Sequence, residues 1–265
     1  MHNHTHTHEC KLCGSRTNKR VRSHIAPAFL FREIKQRGGG LINIPRDGVR
    51  KMTFSKDGPK DHRILCQVCE DKTKWIDDAV HKPLLDHKFQ LLRPYSKKQQ
   101  IIGYSDHIDA LALKRFVVFT VLKASWSNDD FYDKFFIEPQ FINRLLPFLN
   151  YAVPSEEGLV FYLFFRHPTV SGLPKSPEVH NGRLDQTRHE FAGHTGQMVL
   201  YHFLEFTCML FIFDNPKTPI GPNLSLQNQS RVYMLRSHSL NQKLDEVAIQ
   251  FVSDRIRSES WPPIA

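Results

Sequence analysis

The chain has 265 residues, 40% of them hydrophobic, and a formal net charge of +9. That length accommodates one large domain or two ordinary ones with a sizeable core. It contains no run of about eighteen apolar residues, so no membrane span or membrane partner is expected. The charge is uneven: residues 1–75 carry 16 Lys+Arg against 7 Asp+Glu, a net +9, whereas residues 76–265 carry 20 against 20. A basic segment joined to a neutral one is the electrostatic footprint of a phosphate-binding module.

In chain order, residues 1–8 alternate His with Asn and Thr and read as a disordered His-rich leader without an apolar signal segment. A cytoplasmic location is therefore expected. A zinc-binding domain is expected over 9–90. Within it, Phe29, Leu30 and Ile34 give Ala28 to Gln36 helical spacing, and Gly38-Gly39-Gly40 ends that helix. Asp47-Gly48 and Asp57-Gly58 are turn signals flanking a short strand around Val49 to Phe54. After Cys69, the recurrence of Trp75, Ile76, Ala79 and Val80 predicts a helix.

A second domain, helical and then β-rich and of unknown role, is expected over 91–265. Ile108, Leu111, Ala112, Phe116 and Phe119 predict a helix from Tyr104 to about Trp126. Val117, Val118, Val121 and Leu122 widen its apolar face until it must be largely buried. A charged turn at Asp129, Asp130 and Asp133 leads to a helix over Pro139 to Leu149. From Gly158 the texture changes to strands: Leu159 to Phe165, one long or broken strand over Met198 to Phe213, and Val232 to Leu235. An amphipathic helix through Leu244, Val247, Ala248, Phe251 and Val252 closes the chain after a Ser239/Gln242 capping box. The fold class is α+β.

Two Cys-x-x-Cys pairs, Cys10/Cys13 and Cys66/Cys69, carry the strongest chemical signal. Four thiolates on two tight turns match the tetrahedral, sulfur-rich coordination of structural Zn²⁺. Disulfide pairing is the alternative, and it belongs to oxidising compartments. Cys208 lies in the apolar run Phe206 to Phe213 and reads as a small core residue. His189-Glu190-Phe191-Ala192-Gly193-His194 places its histidines five apart, where a zincin helix needs four, and reads as a loop between strands.

Between the cysteine pairs lies Ser23-His24-Ile25-Ala26-Pro27, and Asp61-His62-Arg63-Ile64-Leu65 leads into Cys66-Gln67-Val68-Cys69-Glu70. This layout resembles the HNH, or ββα-metal, nuclease family built on a treble-clef zinc finger. It is closer still to a group of bacterial proteins sharing the Ser-His-Ile-x-Pro and Leu-Cys-x-x-Cys-Glu arrangement. The resemblance covers roughly the first 75 residues. It implies an N-terminal treble clef, with His24 as general base and Asp61 and Glu70 at the positions of the family's Asn and last His. There the two carboxylates would serve as ligands for a catalytic Mg²⁺ or Mn²⁺. The chain departs from the family in having Ser23 where an acidic ligand usually precedes the base.

Arg16, Lys19, Arg20 and Arg22 lead into His24, and Arg32 and Lys35 line the next helix. Such cations contact phosphates without reading bases. The expected function is therefore a zinc-stabilised, HNH-like nucleic-acid-binding protein, with DNA favoured over RNA and divalent-metal-dependent phosphodiester hydrolysis as its extension. The alternative is a catalytically degenerate module that binds nucleic acid or a protein partner.

Overall fold

The computed structural model describes residues 7–17, 21–36, 41–43, 53–55, 58–86, 90–91, 101–165, 182–191, 193–204, 206–218 and 232–236. The protein is α+β, and it divides into two compact units, each built from two stretches of chain. One comprises Met1–Lys82 and Arg115–Val153, the other Pro83–Lys114 and Pro154–Ala265. Two of the three divisions fall inside helices, α2 (Gln67–Leu85), which contains Pro83, and α3 (Ala110–Trp126).

The first unit is made of very short strands and helices. Strands β1 (His8–Glu9) and β2 (Arg16–Thr17) pair antiparallel, so His8 already belongs to an ordered hairpin rather than to the leader. Strands β3 (Ser23–His24) and β6 (Lys60–Asp61) form a second two-residue ribbon, with Ser23 opposite Asp61 and His24 opposite Lys60. Helix α1 (Phe29–Gln36) follows Pro27 as expected, and β4 (Leu41–Asn43) pairs with β5 (Thr53–Ser55). The rest of the strand expected from Val49, and the Gly38-Gly39-Gly40 stop, lie outside the described residues.

Two-residue ribbons cannot bury much surface, so this unit's apolar core comes from its helices and the short segments that lead into them. Ile25, Leu30, Ile64, Leu65, Ile76 and Val80 are fully buried, as are Phe116, Val117, Val118, Val121 and Leu122 of α3. The Phe29 and Phe116 rings lie 6.0 Å apart. After α3, Asp129 accepts a 2.9 Å hydrogen bond from the Phe131 N–H and caps a 3₁₀ turn over Asp130–Tyr132. The helix expected over Pro139 to Leu149 is α4 (Pro139–Leu145) followed by a 3₁₀ segment, Leu146–Leu149. Pro147 has no N–H to continue the α ladder, which accounts for the tightening.

The second unit is dominated by a seven-stranded sheet. Its strands are β7 (Gln90–Leu91), β8 (Ile101–Ser105), β9 (Leu159–Phe165), β10 (Arg183–Phe191), β11 (His194–Phe203), β12 (Phe206–Phe213) and β13 (Val232–Arg236), in the spatial order β10-β11-β12-β9-β13-β8-β7. All neighbours are antiparallel except β13 and β9. Every residue of β12 is buried, so both faces of this central strand are covered, which an unbroken apolar run permits.

Three expectations change here. Tyr104 belongs to β8, and the helix starts only at Ala110, where Asp109 Oδ1 accepts from the N–H groups of Leu111 (2.7 Å) and Ala112 (3.1 Å). The apolar stretch Met198 to Phe213 is not one strand. It reverses after Phe203, and β11 and β12 pair with Phe203 opposite Phe206. The reversal carries no Gly, Asn or Pro signal because Leu204 itself takes a left-handed backbone, φ 46°. The His189–His194 segment is likewise not a loop. His189 lies in β10, which ends at Phe191, His194 begins β11, and Gly193 at φ 79° turns the chain between them. Leu159–Phe165 is a strand as expected, and the Val232 strand extends to Arg236. The amphipathic helix expected around Leu244 to Val252 lies outside the described residues.

Candidate metal centre and its surroundings

The β1–β2 hairpin presents the first cysteine pair. The Gly14 N–H donates to the Cys10 carbonyl at 2.8 Å and the Cys10 N–H to the Ser15 carbonyl at 2.9 Å. That turn needs a left-handed residue after Cys13, and Gly14 supplies it at φ 72°. The second pair opens α2: the Glu70 N–H donates to the Cys66 carbonyl at 3.0 Å, which puts Cys69 in the first helical turn. A helix N-terminus favours thiolates, since its free N–H groups leave a partial positive charge there. A 2.8 Å bond from the Lys11 N–H to the Ile64 carbonyl ties the two turns together.

The result is one cluster in which ligand atoms of Cys10, Cys13, Cys66 and Cys69 all lie within 4.8 Å of one another, close enough to hold a metal ion. All four are free thiols. Zn–S bonds of about 2.3 Å in a tetrahedron require sulfur–sulfur edges of about 3.8 Å. The Cys13 and Cys66 sulfurs are 3.8 Å apart, so the donor set is consistent with structural zinc. Cys13 is exposed while Cys10, Cys66 and Cys69 are buried.

The thiols differ in how readily they ionise. Hydrogen bonds from Ser15, its hydroxyl (3.0 Å from the sulfur) ahead of its backbone, lower Cys13 to about 6. At Cys66 burial opposes ionisation, yet hydrogen bonds led by the Cys69 backbone outweigh it and hold the thiol below its ordinary value. Cys69 is pushed up, first by burial and then by its thiol neighbours. Four sulfurs this close cannot all ionise unaided, and a divalent cation is what allows it.

His24, Asp61 and Glu70 lie in the same unit, but they do not join into a second metal-holding group; among the described residues the four cysteines are the only such cluster. The Asp61 carboxylate is occupied by two backbone N–H groups and a hydroxyl: Oδ1 accepts from the Arg63 N–H at 2.8 Å, and Oδ2 from the Asn128 N–H at 2.7 Å and the Ser127 hydroxyl at 3.2 Å. Glu70 Oε2 accepts a 2.6 Å bond from the buried Ser23 hydroxyl. Ser23 and Asp61 are both buried, whereas His24 and Lys60 are both half-buried, the alternation expected of paired strands whose successive side chains take opposite faces. The histidine and the Asp61 carboxylate thus belong to different faces of the ribbon.

Of the cations expected to meet phosphates, Arg16, Arg22 and Arg32 are exposed. Lys35 is in the last turn of α1, and Lys19 and Arg20 lie outside the described residues. Beyond Ser23, the residues that tune the site without having been singled out in the sequence are the hydroxyl and amide donors Ser15, Ser127 and Asn128. Of these, only Ser15, two positions from a ligand, had a signal in the sequence. Among the described residues no helix is long and apolar enough to cross a membrane. No family model, curated protein or solved structure matches this chain.

Proposed function

We propose that this protein is a zinc-stabilised, HNH-like nucleic-acid-binding protein, with DNA favoured over RNA. The observation that carries this reading is the exposure of Arg16, Arg22 and Arg32 on the unit that holds the four-sulfur cluster. That unit has 21 Lys+Arg against 13 Asp+Glu, so it carries +8 of the chain's +9. A knuckle hairpin, a short ribbon and a helix begun by the second cysteine pair follow the order of a treble clef, which supports the family resemblance. Rigid display of guanidinium groups around a metal-clamped fold suits contacts to a phosphate backbone.

Binding without cleavage is favoured over the nuclease reading, because the hydrogen bonds to Asp61 and Glu70 compete with any Mg²⁺ or Mn²⁺ for the carboxylate oxygens. One observation keeps hydrolysis as the second reading: the Ser23 hydroxyl ties the Glu70 carboxylate of α2 to the ribbon that carries His24.

The test is fluorescence anisotropy on labelled single strands and duplexes over about 50 to 200 mM salt, with zinc content verified. Three phosphate contacts predict a log–log slope of about −2 on single strands. Absence of salt-sensitive binding would sink the proposal. Nicking of supercoiled plasmid with Mg²⁺ or Mn²⁺ that disappears in His24→Ala would replace it with the nuclease reading.

A further inference from the structure

Trp75 of α2 gathers two side chains from the later stretch of the same unit. The Arg115 guanidinium carbon sits 5.0 Å from its ring centroid. The Tyr151 ring stacks on it with centroids 4.5 Å apart and planes 20° from parallel. Arg115, 8% exposed, also donates from Nη2 to the carbonyls of Tyr151 and Ala152, both at 2.9 Å. The buried guanidinium therefore fixes the backbone that carries the tyrosine, and the indole fixes the ring.

The tyrosine itself is 76% exposed, and Val153 beyond it is 81% exposed. Among the described residues Trp75 is the one ring partner of Tyr151. Its outer side faces water. An aromatic ring buried for stability would not be left in this state, since most of its apolar area still contacts solvent. A ring that is oriented in advance by stacking and by two backbone hydrogen bonds suits a flat ligand, because its ordering cost is already met before binding.

The charge of the unit selects among flat ligands. At +8 it attracts polyanions. A polyanion with ring faces free to stack is a single-stranded nucleic acid, since a duplex hides its base faces in the helical stack. We propose that Tyr151, held by Trp75 and Arg115, is a stacking platform for an unpaired base of single-stranded DNA. This rests on the nucleic-acid-binding reading above and adds to it a preference for unpaired strands.

The experiment compares a labelled oligothymidylate with an abasic oligomer of the same length and phosphate count, at one salt concentration, by anisotropy. Wild-type protein is expected to bind the base-bearing strand about tenfold more tightly. Tyr151→Ala should abolish that preference while leaving affinity for the abasic strand unchanged, and Tyr151→Phe should retain it. A preference that survives in Tyr151→Ala, or that is absent from the wild type, overturns the platform and leaves phosphate binding standing. No binding to either oligomer overturns both.

Discussion

The two units solve the same problem by opposite means. In the first, two ribbons are only two residues long, and the turns that bear Cys10/Cys13 and Cys66/Cys69 meet at a cluster of four sulfurs. In the second, β9, β11 and β12 pair over seven to ten residues each, and β12 is buried along its whole length. Short ribbons cannot repay the entropy of ordering their loops from apolar burial alone, whereas long apolar strands can. The comparison teaches where a metal would serve best: at the unit with the shortest strands and nearly all the net charge.

The largest expected effect tests that contrast directly. Cys66→Ser removes one of four ligands, and structural zinc contributes folding free energy on the order of 10 kcal/mol. Metal content measured by mass spectrometry should fall from about one equivalent toward zero. The circular-dichroism β signal of the second unit should persist. Unchanged metal content in the mutant breaks the comparison at its root.

Phe211→Ala is the converse. The ring is fully buried in β12, so its loss should cost about 3–5 kcal/mol in denaturant unfolding. Metal retention should be unaffected, and release of metal at the same denaturant concentration would show that the two units do not stand on separate supports.

A smaller effect is expected from Asp61→Asn, which installs the amide that the proposed HNH-like reading would place there. An amide would set an N–H₂ against donors that now meet carboxylate oxygen, at a cost of about 1–3 kcal/mol. A variant as stable as the wild type that gains metal-dependent nicking would mean that the carboxylate is a lost catalytic position rather than a structural brace.

The smallest effect concerns pH. Asp77 Oδ1 is shielded from solvent with no hydrogen-bond partner. Burial raises its pKa above the ordinary 3.8, opposed by Lys123. The folded state therefore keeps a proton that the unfolded chain has lost, and stability falls as pH rises from 3.8 through the folded-state value. Asp77→Asn should raise the Tm at neutral pH, and the gain should vanish at pH below 3.8. A Tm lowered equally at all pH values would mean that the carboxylate is a needed acceptor.

Parts of both units were readable from residues: in the second, the apolar run Leu159–Phe165 is a strand with those bounds, and in the first, the apolar width of Phe116 to Leu122 signals burial. The errors came where one apolar texture serves two elements. Nothing in Phe203-Leu204-Glu205-Phe206 marks a reversal, because the left-handed residue is a leucine. Tyr104 continues the apolar pattern of α3 and is nevertheless in a strand, since the sheet rather than local periodicity claims it.

By itself the sequence determined the four cysteines as a set, the basic bias of the N-terminal segment and the α+β class, because spacing, charge and hydrophobic period are local properties. Only the tertiary structure decided that the cysteine turns meet, that Asp61 and Glu70 are engaged by Asn128, Ser127 and Ser23, and that Arg115 pins Tyr151 against Trp75. The partners in these contacts are up to 76 positions apart, as with Trp75 and Tyr151. At such separations the chain carries no local signal, and what chooses a partner is the packing of helices that bury a shared apolar face.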